Sequence, residues 1–255
     1  MRKRPNAIVL PLRPASCCNG AKLNGNGTAA GSAMNLGPVF WALLALGIAA
    51  AAAYGLFFLR RPPNWLRAGV KTLAIGAPAV GFVIAGAPFP LVLALAASAT
   101  GDFFLAFDRK WLLPLGILSF LIAQLVYFVI FAAIWFFSGD NSPLLPRYAA
   151  MALIVATSLG FLIWMAPKLG WMALGVAPYA IAITAMAAMA MWLPWNGWPA
   201  MLGALLFVVS DFVLATELFR LPENAPARAI TAPVVWWTYV AAQALIVTGI
   251  ILAAM

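Results

Sequence analysis

Apolar residues form long uninterrupted runs, separated by short polar segments, from residue 37 to the end of the chain. Most runs hold about 20 residues, the length that a helix needs to cross the hydrocarbon core of a bilayer. A transmembrane β-barrel would instead alternate polar and apolar residues in segments of about ten, and these runs do not alternate. The pattern predicts eight transmembrane helices at residues 37–59, 68–86, 89–107, 112–137, 148–166, 170–193, 199–219 and 230–254.

The composition supports this interpretation. Hydrophobic residues make up 65% of the 255-residue chain and charged residues only 8%. A soluble domain is about half apolar and about a quarter charged, so the sequence predicts an all-α polytopic protein of the cell (inner) membrane. The prediction excludes a soluble enzyme and a disordered regulator. It also excludes a nucleic-acid binder, although the net charge is +9, because basic membrane proteins concentrate Lys and Arg in cytoplasmic loops.

The chain is predicted to have two parts. Residues 1–36 are rich in Arg, Pro, Gly and Asn and are predicted to be a disordered tail, whereas residues 37–255 form the transmembrane domain. Met34 directly precedes the first apolar run and is an alternative initiator, in which case the tail is absent from the native protein. The two cysteines, Cys17 and Cys18, are adjacent within this tail and carry no metal or disulfide pattern.

Basic residues are distributed unevenly among the predicted loops. The second, fourth and sixth loops and the C-terminus contain only Arg147. The positive-inside rule therefore predicts cytoplasmic odd-numbered loops and both termini outside. The odd-numbered loops contain Arg60, Arg61, Arg67, Arg109, Lys110, Lys168, Arg220 and Arg228.

Only two of the six acidic residues, Asp102 and Asp211, lie well inside predicted helices. A charged group at such a position costs about 3 kcal/mol on insertion scales and is a functional hypothesis by default. The alternative is that each acid forms a structural polar contact between helices. The remaining acids lie in loops or at helix ends: Asp108, Asp140, Glu217 and Glu223.

The two acids occur in similar motifs, at residues 101–108 and 210–217. Each motif has a small residue, Asp-Phe, an apolar residue, Leu-Ala and then a second acid six positions after the first. The motifs fall on the third and seventh predicted helices, which run in the same direction, so both acids are expected at similar depth in the cytoplasmic half of the membrane. The recurrence is consistent with a four-plus-four internal repeat.

Further polar side chains are expected at the same level of the membrane. At 1.5 Å rise per residue they span a layer of roughly 15 Å, the size of a lipid head-group cavity. We take them as candidate substrate-binding residues, with helix-packing hydrogen bonds or interfacial anchoring as the alternative for each. They are Lys71, Tyr179, Tyr239, Gln124, Tyr127 and Gln243.

Histidine is absent from the sequence, which limits the available chemistry. A Ser-His-Asp triad and a His-ligated zinc site are both excluded within this chain. Two acids without further clustered oxygen ligands make a weak cation site, so no metal and no cofactor is predicted.

The sequence resembles the YhhN-like lysoplasmalogenase family of eight-helix membrane hydrolases from about residue 37 to the end. The most specific matching segments are residues 101–106 and 203–211, with weaker support around Lys71, Tyr179 and Tyr239. Family members cleave the vinyl-ether bond of lysoplasmalogens to a fatty aldehyde and a glycerophospho-alcohol. The resemblance implies a lysoplasmalogen-like lysophospholipid as substrate and makes Asp102 and Asp211 the two essential carboxylates.

The sequence departs from the family pattern at two positions. Gln124 stands where the family has His, and Thr72 stands where the family has Pro after the Lys. Glutamine forms hydrogen bonds but does not relay a proton near neutral pH.

The residues themselves suit acid cleavage of a vinyl ether. This reaction needs protonation of the β carbon, stabilisation of an oxocarbenium ion and addition of water, for which one carboxylic acid and one carboxylate suffice, as in glycosidases. Either Asp102 or Asp211 is the acid, and Lys71 is expected at the lipid phosphate. The rival hypothesis is a small-molecule or proton-coupled transporter, since intramembrane Asp pairs and repeats are common there. A purely structural membrane protein is the third.

Overall fold

The computed structural model describes residues 34, 36–107, 109–139, 144–222 and 224–255, which all belong to one compact unit, 34–255. These residues form helices and no strands. The helices are α1 (Pro38–Ala53, continued by a π-helical turn, Tyr54–Phe58), α2 (Trp65–Ile84), α3 (Phe89–Leu105), α4 (Leu113–Ser138), α5 (Leu144–Leu169), α6 (Ala173–Ala190), α7 (Trp198–Phe219) and α8 (Arg228–Ala253). The predicted tail lies almost entirely outside the described residues, as do Asp108, Asp140 and Glu223.

Six segments of the described chain are long and apolar enough to cross a membrane. Helix α3, with 17 residues, is shorter than this length, and α5 and α6 count together as one segment, Leu145–Ala190. Within that segment Gly170 has a φ of 53°, which reverses the chain so that α5 packs against α6. The predicted all-helical membrane fold is therefore confirmed, whereas eight separate spans and the internal repeat stay predictions.

Local sequence signals explain where several helices begin. Proline occupies the first turn of α1, α3, α4 and α7, where its missing N–H group has no helical partner to lose. Asn64 caps α2 by accepting a hydrogen bond from the Arg67 backbone N–H at 2.7 Å. Helix α3 ends at Leu105, two residues before the predicted boundary, so Asp102 lies in its last turn.

Small residues allow the closest helices to touch through their backbones, as is common in membrane bundles. Helices α7 and α8 form the tightest pair: a Cβ atom on Gly249 would overlap the Ala200 backbone nitrogen, and one on Gly203 would lie 2.8 Å from the Ala242 carbonyl oxygen. Helices α3 and α4 meet where the Phe120 ring covers Gly101. This contact fixes α4 beside Asp102.

The outside of the bundle is apolar. Large side chains such as Leu56, Phe57, Phe136, Ile163 and Ile181 are more than half exposed. A contiguous apolar exterior of this kind is compatible with lipid and not with water. The interior nevertheless contains buried polar side chains, among them Ser98, Asp102, Ser119, Gln124, Ser210 and Gln243.

Candidate active site

Asp102 is buried inside the bundle, and each of its carboxyl oxygens contacts a polar side chain. Its exposed fraction is 1%. The Lys71 ammonium nitrogen lies 3.5 Å from Oδ1, and the Tyr239 hydroxyl donates a hydrogen bond to Oδ2 at 2.7 Å. Asp102 is therefore held by an ion pair from α2 and a hydrogen bond from α8. Such pairing offsets the cost of burying its charge.

Helix α2 also fixes the end of α3 that carries Asp102. Arg67, one turn before Lys71, is buried and donates a hydrogen bond to the Ala106 carbonyl oxygen at 2.9 Å. The Arg67 and Lys71 side chains both lie over the Tyr54 ring, at 5.9 and 5.8 Å from its centroid. Tyr54 and Arg67 were not identified from the sequence as part of the site. Lys71 faces Asp102, and its predicted contact with a lipid phosphate stays a prediction.

Three more buried side chains extend this cluster deeper into the bundle. Gln243 donates a hydrogen bond to the Ser98 hydroxyl at 2.9 Å and accepts one from the Tyr127 hydroxyl at 2.7 Å. The Gln243 amide also lies 3.5 Å from the Tyr239 hydroxyl. Ser98 was missed by the sequence analysis, although its position one turn before Asp102 on α3 places it on the same helix face. We call Lys71, Ser98, Asp102, Tyr127, Tyr239 and Gln243 the Asp102 cluster.

Asp211 has a different environment. It lies about two turns before the end of α7 and is partly exposed. The Tyr179 hydroxyl on α6 donates a hydrogen bond to Asp211 Oδ2. Within the described part of the chain, no cation lies at ion-pair distance from Asp211. Its neighbour Ser210 donates a hydrogen bond to the Val235 carbonyl oxygen at 3.0 Å and ties α7 to α8.

Gln124 lies beside Tyr179 and completes what we call the Asp211 cluster, namely Asp211, Tyr179 and Gln124. Gln124 is fully buried, and neither its amide nitrogen nor its amide oxygen has a hydrogen-bond partner among the described residues. A buried amide in this state is costly unless another molecule satisfies it. Because Gln124 and Tyr127 are one turn apart, α4 contributes one polar side chain to each cluster.

An aromatic layer fills the space between α4, α7 and α8. The Phe120, Phe207 and Tyr239 rings meet edge to face, with centroids 5.5 to 6.4 Å apart. Phe207 lies one turn before Asp211, and Phe120 covers Gly101 next to Asp102. The predicted site residues therefore form two clusters, and among the described residues the two carboxyl groups share no hydrogen-bond partner. In the described chain no three His, Cys, Asp or Glu side chains converge on a point where a metal could bind.

Acids and phenols placed inside an apolar helical bundle define a polytopic membrane protein with an internal polar site. The YhhN family matches residues 66–250, and the chain belongs to this family. The resemblance predicted from the sequence is thus confirmed. Two proteins named lysoplasmalogenase, from Mycobacterium bovis and Mycobacterium tuberculosis, are each 32% identical over 219 residues, covering 78% of this chain and 80% of their own. No solved structure matches the chain. Both clusters lie inside the family match.

Proposed function

We propose that this protein is a membrane hydrolase that cleaves the vinyl-ether bond of a lysoplasmalogen to a fatty aldehyde and a glycerophospho-alcohol. The similarity to relatives named lysoplasmalogenase supports the substrate class and the bond. The observation that carries the proposal is the presence of two carboxyl groups, Asp102 and Asp211, inside an apolar bundle and each hydrogen-bonded to a tyrosine. Such groups suit acid chemistry on an apolar chain that arrives from the membrane.

The reaction is a balanced hydrolysis. A proton is added to the β carbon of the vinyl ether, the electron pair of the C=C bond forms the new C–H bond, and the positive charge is shared by the adjacent carbon and the ether oxygen. Water adds to that carbon and loses a proton, which gives a hemiacetal. The hemiacetal hydroxyl then loses its proton, its C–O bond to glycerol breaks, the glycerol oxygen takes a proton, and the aldehyde is released. A nearby carboxylate stabilises the cation, as in glycosidases.

The remaining candidate residues surround this chemistry. We assign Tyr179, Tyr239, Gln124, Tyr127 and Gln243 to orienting the substrate or the attacking water. The Lys71 ammonium group can bind the lipid phosphate only if its ion pair with Asp102 opens or if it contacts both groups at once.

We further propose a topology of eight spans, with α5 and α6 crossing separately and α3 crossing with a short helix. The reversal at Gly170 supports separate α5 and α6 spans. The excess of Lys and Arg in the odd-numbered loops supports a cytoplasmic position for those loops and for the ends of α3 and α7 that carry the acids. We also propose the cell (inner) membrane as the location of these long apolar helices.

The decisive experiment measures the product and the position of the added proton. Purified protein in detergent is given a lysoplasmalogen or, as control, the matched lipid with a saturated ether, in H2O and in D2O. We expect aldehyde from the vinyl ether alone, and the aldehyde formed in D2O carries one deuterium on the carbon next to the carbonyl. Free aldehyde held in D2O for the same time corrects for exchange after release. Absence of aldehyde from folded protein contradicts the proposed hydrolase, and uptake of solute into proteoliposomes would then favour a transporter.

A further inference from the structure

The two carboxyl groups differ in how an incoming molecule could reach them. Asp102 is 1% exposed, and both of its oxygens already contact a partner, Lys71 or Tyr239. Asp211 is partly exposed, and Tyr179 is the side chain that hydrogen-bonds it. Asp211 therefore presents some surface to an incoming molecule, whereas contact with Asp102 requires its partners to move.

The two groups also differ in the charge that faces them. Asp102 faces an ammonium group, so its ionised form has a counter-ion. Asp211 faces a neutral phenol, and no cation of the described chain lies within ion-pair distance. Burying a charge without a counter-ion is costly in an apolar interior. A carboxylate is therefore compensated at Asp102, whereas Asp211 has no such compensation among the described residues.

We propose that Asp211 is the catalytic acid, which contacts the vinyl ether and protonates its β carbon, and that Asp102 is a positioning residue, which acts through Lys71 and Tyr239. This inference rests on the proposed function and assigns different roles to its two acids. Asp211 gives its proton to the β carbon, and the resulting carboxylate lies beside the oxocarbenium ion that forms. When water adds to the cation, the proton that water loses returns to the Asp211 carboxylate, and the cycle closes without any other proton donor for this step.

Asp102 contributes through the groups it holds. Its two oxygens fix the Lys71 ammonium and the Tyr239 hydroxyl. Tyr239 in turn packs on Phe120 and Phe207, and Phe207 lies one turn before Asp211 on α7. Loss of the Asp102 carboxylate therefore alters the wall near Asp211 while the Asp211 carboxyl group and its tyrosine remain.

Carbodiimide labelling tests the assignment without depending on turnover. Dicyclohexylcarbodiimide is apolar and reacts with protonated carboxyl groups that it can reach. We expect one adduct by intact-protein mass in the wild type and in Asp102→Asn, no adduct in Asp211→Asn, and protection by the saturated ether lipid. Labelling that disappears in Asp102→Asn and persists in Asp211→Asn would overturn the proposal, as would a wild type that is not labelled. Because labelling needs no hydrolysis, an inactive wild type that is labelled at Asp211 would contradict the proposed function alone.

Kinetics provide the second test, on variants that keep the wild-type gel-filtration profile. Asp211→Asn should lower kcat/KM by at least about 100-fold, the usual contribution of a general acid. Asp102→Asn should also lower it, because the groups that Asp102 holds shift, but should keep the solvent isotope effect of the wild type, because the same group still delivers the proton. Adding Lys71→Met to Asp102→Asn should change kcat/KM little, since the two residues act as one unit. If kcat/KM falls as far in Asp102→Asn as in Asp211→Asn and the isotope effect also changes, the assignment of different roles to the two acids is contradicted.

Discussion

The ion pair between Lys71 and Asp102 should be a major source of stability, and its removal gives the most quantitative prediction. At 3.5 Å, two unit charges attract by about 5 kcal/mol at an effective dielectric constant of about 20. Desolvation cancels part of this, and the Lys71 side chain keeps 14% of its surface exposed. We therefore expect a coupling free energy of about 2 kcal/mol between the two residues.

The double-mutant cycle consists of Lys71→Met, Asp102→Asn and their combination. Each single change leaves the other group buried without its partner and should lower the free energy of unfolding by about 3 kcal/mol, near the lower end for broken buried pairs. The double variant should lose about 4 kcal/mol rather than the sum of about 6, because neither charge then remains. Unfolding in mixed micelles of dodecylmaltoside and SDS measures these values.

The chain offers a matched control pair, Glu217 and Arg228, at 3.3 Å. Their side chains are 14% and 27% exposed, so water screens them more and their coupling should be below about 1 kcal/mol. If the stability losses of the Lys71 and Asp102 variants add within about 0.5 kcal/mol, or if the control pair couples as strongly, the ion pair does not hold α2 to α3.

Three further predictions follow from the packing and from the second cluster. Gly249→Ala should lower the free energy of unfolding by at least about 2 kcal/mol because its Cβ would meet the α7 backbone, whereas Gly69→Ala, with open space around it, should be neutral or slightly stabilising; equal effects in the same micelle assay would contradict the close α7–α8 contact. Tyr179→Phe removes the hydroxyl that binds Asp211 and should lower kcat about 10-fold or more with little change in KM; an unchanged kcat would mean that the phenol does not orient the acid. Gln124→Leu removes a buried amide without a protein partner and should raise stability by about 1 kcal/mol while lowering activity; a less stable but fully active variant would refute both roles.

The sequence predicts most of the fold because the fold is set by one dominant pattern. Runs of about 20 apolar residues locate all eight helices to within a few residues, since the cost of exposing backbone polar groups in lipid leaves little alternative to a helix. The predicted end of α3 lies two residues too late. In the structure α3 ends at Leu105, and Arg67 binds the Ala106 carbonyl oxygen directly after it. That contact joins residues 39 positions apart, so no local pattern reveals it.

The partners of the acids could not be predicted for the same reason. Lys71, Tyr179, Tyr239 and Gln243 were identified as polar residues at a similar depth, which is a property of each helix alone. Which of them faces Asp102 depends on how the helices rotate about their axes and on which helices are neighbours. Close contacts at glycine residues determine these neighbours, for example where the Phe120 ring packs on Gly101. A single sequence does not reveal which residues meet at such a contact.

The difference between the two acids arises from the helices that precede them. In sequence, Asp102 and Asp211 have the same Asp-Phe-x-Leu-Ala setting and are equivalent. In the structure each receives a partner from the helix before its own, and that partner is a lysine in one case and a tyrosine in the other. A cation compensates a carboxylate, whereas a phenol only orients a carboxyl group, so the proposed difference between the two acids depends on which residue the preceding helix supplies. We therefore expect an exchange of the two partners, with Lys71→Tyr and Tyr179→Lys in one chain, to place a cation beside Asp211. Carbodiimide labelling of Asp211 should then be lost in the protein that remains folded.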